Sequence, residues 1–298
     1  MSAGRSASAP RPVAVGYDGS AAAGHAVDVA VDEAGQRGTA LVVLVVAGSS
    51  RLWSDSVEEL YGDAGAALAW ATDMGDAAVH QAVQRCPGLP VDAVVCGDLE
   101  SPEIVALGHR AQLLVLGGQG RRGQACLHPG ATSAELALAF RCPVLITRPP
   151  GEPAASREVA GASVHDRPGG SVVAGVDGRE SSVAVLAAAA RECRLRDRAL
   201  VAVHAMGSSV VAPQHLADRC RRLFGDAVTS MGPGHADRLL FAPGTPARAL
   251  AGNTRPEDLL VIGTHSRGRL RAGDSNGVIR QVLDQAPCDV LVVPSARA

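Results

Sequence analysis

The 298-residue chain carries an internal repeat that covers most of its length. Three segments of the first half return in the second half in the same order, and the spacing from Gly117 to Cys142 is identical to the spacing from Gly263 to Cys288. Self-similarity at this scale predicts two copies of one domain joined in tandem. The repeated segments are VAVGYDGS at 13–20 and VVAGVDGR at 172–179, LLVLG at 113–117 and LLVIG at 259–263, CPVL at 142–145 and CDVL at 288–291.

The second copy is shorter than the first in its middle. In residue numbers, Gly117 follows Asp18 by 99, whereas Gly263 follows Asp177 by 86, a difference of 13. We expect the deficit to fall after the second strand, where the first copy carries residues 51–88.

The length of the chain agrees with about two domains of roughly 150 residues each. A stretch rich in Pro, Gly, Ala and Ser separates the copies and has no apolar periodicity, which is typical of a linker. We therefore predict a first domain over residues 11–149, a linker over 150–170 and a second domain over 171–296.

Each copy alternates short apolar strands with helical segments. Most strands are continuous apolar runs, which is typical of strands that helices cover on both faces. We therefore predict an α/β fold made of two tandem, open, doubly wound parallel sheets of five strands each. The predicted strands lie near residues 13–16, 41–47, 91–96, 113–116 and 144–147 in the first copy, and near 172–176, 200–205, 238–242, 259–262 and 290–293 in the second.

The composition excludes several functional classes. All 28 positive side chains are arginines, which coding bias in a GC-rich genome explains. Without lysine the chain is not a standard P-loop protein, protein kinase or pyridoxal phosphate enzyme. The net charge is −2 and there is no long basic stripe, so we expect no nucleic-acid partner.

The seven cysteines are an odd number and include no C-x-x-C pair, which favours reduced thiols in the cytoplasm over a disulfide framework or a zinc site. Residues 1–12 lack the apolar core of a signal peptide. The longest apolar runs, such as 41–47, are too short to span a bilayer, so we expect no membrane association. Cys142 and Cys288 open the fifth strand of each copy and are interpreted as small buried residues, with a redox role as the alternative.

The loops after the first and fourth strands are the candidate ligand-binding segments, because ligands of open α/β sheets bind beyond the carboxyl ends of the strands. In the first copy these are GYDGS at 16–20 and the glycine-rich run 117–123, which is followed by GAT at 130–132 ahead of a helix. Glycines let phosphate oxygens approach the backbone N–H groups, and a helix start adds its positive dipole end. Asp18 suits hydrogen bonds from ribose hydroxyls.

The same residues also have purely structural interpretations. A glycine-rich loop is in many cases only a turn. Asp18 or Ser20 can cap the following helix, and Thr132 with Glu135 fits a capping box. His204 and His265 could suggest a metal, but without a spaced Asp, Glu or Cys partner we favour structural roles and predict no metal site.

The order of these motifs resembles the universal stress protein family, in its tandem, actinobacterial-type members with the adenine nucleotide alpha hydrolase-like fold. Gly117, Gly120 and Gly130 follow the fourth strand with the spacing of the family's glycine motif. Asp18 matches the family's strand-one aspartate. The resemblance covers nearly the whole chain outside the N-terminal tail and the linker, and it implies ATP as the ligand.

The resemblance implies one set of ATP-binding residues in each copy. Ala131 stands where the family has Ser or Thr, and the adjacent Thr132 could substitute; in the second copy Ser266 and Asn276 replace two motif glycines. We therefore expect ATP in the first copy more than in the second. The predicted residues are Gly16, Asp18, Ala47, Gly117, Gly120, Gly123, Gly130, Ala131 and Thr132 in the first copy, and Gly175, Asp177, Ala205, Gly263, Ser266, Asn276 and Gly277 in the second.

The leading functional hypothesis is an ATP-binding regulatory protein of the stress response that acts through conformation or partner choice, not turnover. We predict no catalytic residues, because no base and nucleophile pair lies near the phosphate loop. The alternative is a nucleotide-free structural or interaction protein of the same fold. An adenylating enzyme ranks last, because GYDGS at 16–20 is a poor match to its phosphate loop.

The fifth strands also carry a prediction about assembly. Residues 144–147 and 290–293 resemble the family's edge strand used for pairing, and an exposed apolar edge strand pairs with another strand unless it is covered. We predict that the two domains pack as an internal pseudo-dimer, with a homodimer of two chains as a further expectation. The sequence does not name a regulatory protein partner.

Overall fold

A computed structural model describes residues 10–47, 64–97, 101–118, 140–149, 169–209, 212–232, 237–264 and 277–294. The predicted linker, except Gly169 and Gly170, lies outside these described residues.

Ten strands and seven helices lie along the described residues, and strands and helices alternate except from β4 to β6, where the described residues include no helix. Every predicted strand is found, and no strand end moves by more than one residue, so the prediction of alternating βα units is confirmed. The elements are β1 Val13–Gly16, α1 Ala21–Arg37, β2 Leu41–Val46, α2 Ala64–Arg85, β3 Val91–Cys96, α3 Pro102–Arg110, β4 Leu113–Gly117, β5 Val144–Thr147, β6 Ser171–Gly175, α4 Ser181–Arg196, β7 Ala199–Ala205, α5 Gln214–Met231, β8 Asp237–Ala242, α6 Pro246–Ala251, β9 Leu259–Gly263, α7 Val278–Gln285 and β10 Asp289–Val293.

The strands lie in the order β3-β2-β1-β4-β5-β10-β9-β6-β7-β8. Within each half all neighbouring strands are parallel and follow the same order, so the prediction of doubly wound α/β halves with five strands each is confirmed. The two sheets are not separate, however. β5 and β10 pair antiparallel, which makes one continuous ten-stranded sheet.

The difference in length between the copies falls where the sequence predicts it. In the first half β2 ends at Val46 and β3 begins at Val91, whereas in the second half β7 ends at Ala205 and β8 begins at Asp237. The step in residue number is 45 in the first case and 32 in the second, a difference of 13. The whole deficit of the second copy therefore lies between its second and third strands.

Small side chains allow the helices to pack closely on both faces of the sheet. β1 and β4 are buried along nearly their whole lengths, and α1 turns a stripe of alanines toward the sheet. Ala26, Ala30 and Ala34 in that stripe are fully buried. The edge strands β3 and β8 are more exposed and carry charged residues, Asp92 in β3 and Asp237 and Arg238 in β8, as edge strands of natural sheets commonly do.

Candidate functional site

The chain reverses its order in the sheet between β1 and β4 in the first half, and between β6 and β9 in the second. In doubly wound sheets a crevice opens beyond the carboxyl ends of the two strands at such a point. Gly16 and Gly117 end β1 and β4, and Gly175 and Gly263 end β6 and β9. These four sequence-predicted glycines therefore lie at the expected ends of the strands.

Gly117 lies against the backbone of the first turn of α1. A Cβ atom at this position would fall 2.8 Å from the carbonyl carbon and oxygen of Ala22 and 3.0 Å from the amide nitrogen of Ala23. The glycine thus has a packing reason to exist, and its lack of a side chain brings the positive end of α1 close to the crevice. At Gly263 a Cβ atom would instead meet a side chain, Cγ2 of Val185, at 2.8 Å.

Asp18 and Ser20 form the turn that starts α1. The backbone N–H of Ser20 donates to Oδ1 of Asp18 at 3.0 Å, and Gly19 takes the left-handed conformation with φ 76°. Ser20 is the N-cap, since its Oγ accepts from the N–H of Ala23 at 3.1 Å. The capping interpretation of Ser20 is therefore confirmed, and Asp18 stabilises the turn before it.

The equivalent turn in the second half uses its aspartate differently. Oδ1 of Asp177 accepts from the N–H of Arg179 at 2.9 Å, from the hydroxyl of Ser182 at 2.8 Å and from the hydroxyl of Ser181 at 3.3 Å. Nε of Arg179 lies 3.9 Å from Oδ2. Oγ of Ser182 in turn accepts from the N–H groups of Asp177 and Gly178 at 3.0 and 3.1 Å.

Sequence reasoning missed Ser181 and Ser182. They follow Asp177 by four and five positions, and the residues at the same distances from Asp18 are Ala22 and Ala23, which carry no hydroxyl. Aligning the two copies on their aspartates would have shown this difference. The two carboxylates therefore have different surroundings although their strands are equivalent in the repeat.

The second strands contribute Ala47 and Ala205. The N–H of Ala47 donates to the carbonyl of Cys96 at 2.7 Å, which holds the end of β2 against β3. Ala205 is the last residue of β7 and is half-buried. Their proposed backbone contact with adenine stays a prediction.

His204, next to Ala205, has a structural environment. Its Nδ1 lies 2.8 Å from the carbonyl oxygen of Val176, and its ring packs edge-on against Phe241 at 5.7 Å between centroids. Sγ of Cys220 lies 4.0 Å from the same nitrogen. No group of three or more potential metal ligands forms among the residues that the structure describes.

Of the remaining sequence-predicted site residues, the structure describes one, and the others lie outside the described residues. Gly277 is described and is the N-cap of α7, in extended conformation and without a side-chain hydrogen bond. The glycine motif after β4 thus stays a prediction beyond Gly117. Outside the described residues lie Gly120, Gly123, Gly130, Ala131, Thr132, His265, Ser266 and Asn276.

The cysteines that precede the fifth strands are buried, as the structural interpretation predicts. Cys142 is 6% exposed and Cys288 is 3% exposed. Burial raises the pKa of Cys142 to about 12 and also raises that of Cys288, because desolvation disfavours the thiolate. Among the described helices none is both long and apolar enough to cross a bilayer.

Comparison with known proteins agrees with this architecture. A sequence profile of the universal stress protein family matches residues 10–148. The universal stress protein Rv3134c of Mycobacterium tuberculosis is 33% identical over 311 residues, which cover 96% of this chain and 98% of that protein. The match to Rv1996 of the same organism, also 33% identical, covers 48% of this chain and 45% of that protein, so the chain spans about half the length of that relative.

Solved structures show the same fold. A universal stress protein from Archaeoglobus fulgidus superposes with a TM-score of 0.65 at 14% identity, covering 95% of this chain and 98% of that one. A putative universal stress protein from Pseudomonas aeruginosa gives a TM-score of 0.50 at 18% identity, covering 96% and 94%. Taken with the nearly full-length match to Rv3134c, these findings show that the chain belongs to the universal stress protein family.

Proposed function

We propose that the chain is an ATP-binding regulatory protein of the stress response in which the first copy holds the nucleotide. The observation that carries this proposal is that two serine hydroxyls bind the Asp177 carboxylate at the second crevice, whereas alanines stand at the equivalent positions 22 and 23 in the first copy. The bound nucleotide would change the conformation of the protein or its choice of partner, and would not be turned over.

The first crevice carries residues whose chemistry suits an adenine nucleotide. Asp18 suits hydrogen bonds to ribose hydroxyls, and the backbone at Ala47 suits the adenine edge. The start of α1, held close by Gly117, adds a positive dipole end near the phosphates. The glycine motif predicted after β4 would complete the site with backbone N–H groups.

The second crevice is less suited to a ribose. The carboxylate of Asp177 already accepts from the hydroxyls of Ser181 and Ser182 and from the N–H of Arg179. A nucleotide would have to displace some of these hydrogen bonds, each of which contributes about 1 kcal/mol net. This supports nucleotide binding in the first copy ahead of the second.

The regulatory part of the proposal rests on the chemistry of the chain and on its family. The sequence has no lysine to assist phosphoryl transfer, and among the described residues we identify no pair suited to act as base and nucleophile. The six cysteines that the structure describes are free thiols, which suits the reducing cytoplasm. The partner that distinguishes the nucleotide-bound protein from the free protein should be identified by capturing complexes that form only with ATP.

Thermal unfolding with and without ATP tests the proposal. ATP at 100 times its dissociation constant should stabilise the folded chain by about 2.7 kcal/mol, and native mass spectrometry should find one nucleotide per chain before a second. An unchanged melting temperature at millimolar ATP, for protein purified free of nucleotide, would remove the proposal. Release of ADP at a steady rate would contradict the part that excludes turnover.

A nucleotide-free interaction protein is the second candidate. The packing of Gly117 against α1 and the capping by Ser20 favour it, because both account for these residues without a ligand. This candidate predicts no shift with ATP and no nucleotide in the natively purified protein.

We also propose that the two halves stay paired in solution as an internal pseudo-dimer. In the antiparallel junction Leu145 lies opposite Leu291, and both are almost fully buried. Paired halves should give a radius of gyration of about 19 Å by the scaling for compact chains. The L145D/L291D variant places two carboxylates opposite each other and should enlarge that radius, whereas an unchanged scattering profile would show that these strands do not hold the halves together.

A further inference from the structure

Four charged side chains form a closed ring between the two halves. Glu33 and Arg37 lie on α1, and Glu192 and Arg196 lie on α4. Within each helix the arginine binds the glutamate four positions before it. Between the helices Arg37 donates to Glu192 at 2.7 Å, and Arg196 donates to Glu33. We call these four residues the charge ring.

The charge ring is buried. The exposed fractions of its side chains are 6% for Glu33, 8% for Arg37, 1% for Glu192 and 11% for Arg196. Burial raises the pKa of Glu33, while the charges of Arg196 and Arg37 oppose that rise. The four groups have thus given up water, and they bind one another instead. The exposed Arg191 adds a longer contact, with its Nε 3.8 Å from Oε1 of Glu192.

The charge ring has the symmetry of the repeat. Glu33 follows Asp18 at the same spacing at which Glu192 follows Asp177, and in each copy the arginine comes four positions after the glutamate. A glutamate and an arginine placed this way are self-complementary, because a two-fold rotation brings each glutamate onto the other arginine. Any two halves that carry the pair can therefore close the ring.

The apolar residues of the two strands at the junction are also nearly self-complementary. Leu145 and Leu291 each follow the cysteine of their copy by three positions, and they lie opposite each other. Their neighbours, Val144 and Ile146 in one half and Val290 and Val292 in the other, present nearly the same shape. The apolar side chains of these strands do not distinguish one half from the other, but one hydrogen bond does. The N–H of Arg148 donates to Oδ1 of Asp289 at 2.7 Å, and prolines stand at the equivalent positions 294 and 143. This bond and the tether favour the half of the same chain.

Buried ion pairs contribute little net stability compared with apolar groups of similar volume, but an unpaired buried charge is strongly destabilising. The charge ring therefore acts mainly on the choice of partner. We propose that it is the recognition element of the pairing face, which accepts any half bearing this glutamate and arginine, including a half of a second copy of this chain.

Reversing the pair in one half tests the proposal. In E33R/R37E, internal pairing would bury two guanidinium groups against each other, at positions 33 and 196, and two carboxylates against each other, at positions 37 and 192. The reversed half remains self-complementary, as does the unchanged half, so each should pair with its like in another chain. Light scattering after size exclusion at low micromolar concentration should give at least twice the mass of the 30.3 kDa chain.

A four-fold variant shows whether the charges themselves decide. E33R/R37E/E192R/R196E closes the ring with its polarity reversed, and it should return to the mass of one chain and recover most of the melting temperature lost in E33R/R37E. Full recovery is not expected, because Arg191, whose Nε lies 3.8 Å from Glu192, would then face an arginine at position 192. If E33R/R37E fails to fold, recovery of the four-fold variant still supports the proposal. Failure of the four-fold variant to recover, or a monomeric E33R/R37E that melts like the wild type, overturns it.

The exposed ion pair of Arg85 with Asp32, at 2.7 Å within one half, is the matched control. Its side chains are 42% and 52% exposed, so D32R/R85E should leave the mass and the melting temperature unchanged. An increase in mass for this control equal to that of E33R/R37E would overturn the proposal, because it would show that any charge reversal on these helices has this effect.

Discussion

The turns that follow β1 and β6 occupy equivalent places in the two halves, yet their hydrogen bonds differ. In the first half Ser20 caps α1 through its own Oγ. In the second half the equivalent residue is Arg179, whose side chain cannot accept a hydrogen bond, and α4 has no side-chain cap at its N-cap residue. In both halves the aspartate accepts from the N–H two positions after it, but only in the second half does a serine, Ser182, also accept from the N–H groups of Asp177 and Gly178.

The difference shows how two serines change the surroundings of an equivalent aspartate. Without a side-chain cap, the N–H groups of Ser182 and Val183 at the start of α4 donate to the carbonyls of Arg179 and Glu180 at 3.0 Å each. The Asp177 carboxylate accepts from the hydroxyls of Ser181 and Ser182, so a ribose at the second crevice would have to compete with them.

The largest difference should come from the glycines that end β4 and β9. Gly117→Ala forces a Cβ atom into the backbone of α1, which cannot yield, so we expect a loss of about 3 kcal/mol in the free energy of unfolding. Gly263→Ala meets only the side chain of Val185, which can move, and should lose about 1 kcal/mol. Urea unfolding measures both. V185A removes the side chain that the new Cβ atom would meet, so Gly263→Ala should cost less stability in the V185A background than in the wild type. Equal losses of stability for G117A and G263A would contradict the distinction between backbone and side-chain contact.

The second difference concerns the aspartates. Asp177→Ala removes the acceptor of three hydrogen bonds and should lose about 2 kcal/mol of stability while changing ATP binding little. Asp18→Ala should lose about 1 kcal/mol of stability but weaken ATP binding by about tenfold, a change of about 1.4 kcal/mol. Chemical unfolding and calorimetry with ATP separate the two effects. Equal losses of binding would show that the second copy binds nucleotide as well as the first.

These positions also show what the sequence can predict. Continuous apolar runs locate the strands to within one residue, because burial on both faces leaves no other pattern. Residue type narrows the cap of α1 to Asp18 or Ser20, and the structure identifies Ser20. Glu33 with Arg37, by contrast, reads as an ordinary exposed pair on one face of a helix, and only the docking of α1 against α4 shows that it is buried. The contacts of Ser181 and Ser182 likewise depend on how the turn folds.

A transplant of the first turn into the second should produce a smaller change. R179S/S181A/S182A restores a cap residue and removes both hydroxyls from Asp177, so that positions 179, 181 and 182 carry the residue types found at positions 20, 22 and 23. We expect the affinity of the second copy for ATP to rise by a few-fold, since about 1 kcal/mol of competing hydrogen bonding is removed. Native mass spectrometry at increasing ATP would show a second bound nucleotide. The reciprocal A22S/A23S should weaken binding to the first copy, and no change in either variant would mean that the hydroxyls do not control access.

The smallest difference should appear at the cysteines that precede β5 and β10. Burial raises the pKa of Cys142 from its ordinary value of 9.0 to about 12, and it raises the pKa of Cys288 also. The thiols of the unfolded chain lose their protons near pH 9, whereas the buried thiols of the folded chain keep them. The contribution of each buried thiol to the free energy of unfolding is therefore complete below pH 9 and is lost as the pH rises toward 12. Cys142→Ala and Cys288→Ala should each reduce the fall in the free energy of unfolding between about pH 8 and about pH 10.5, and by similar amounts. Urea unfolding at the two pH values measures this fall independently of any cavity that the alanine leaves. If one variant alone reduced it, the two halves would differ at their shared junction as well as at their crevices.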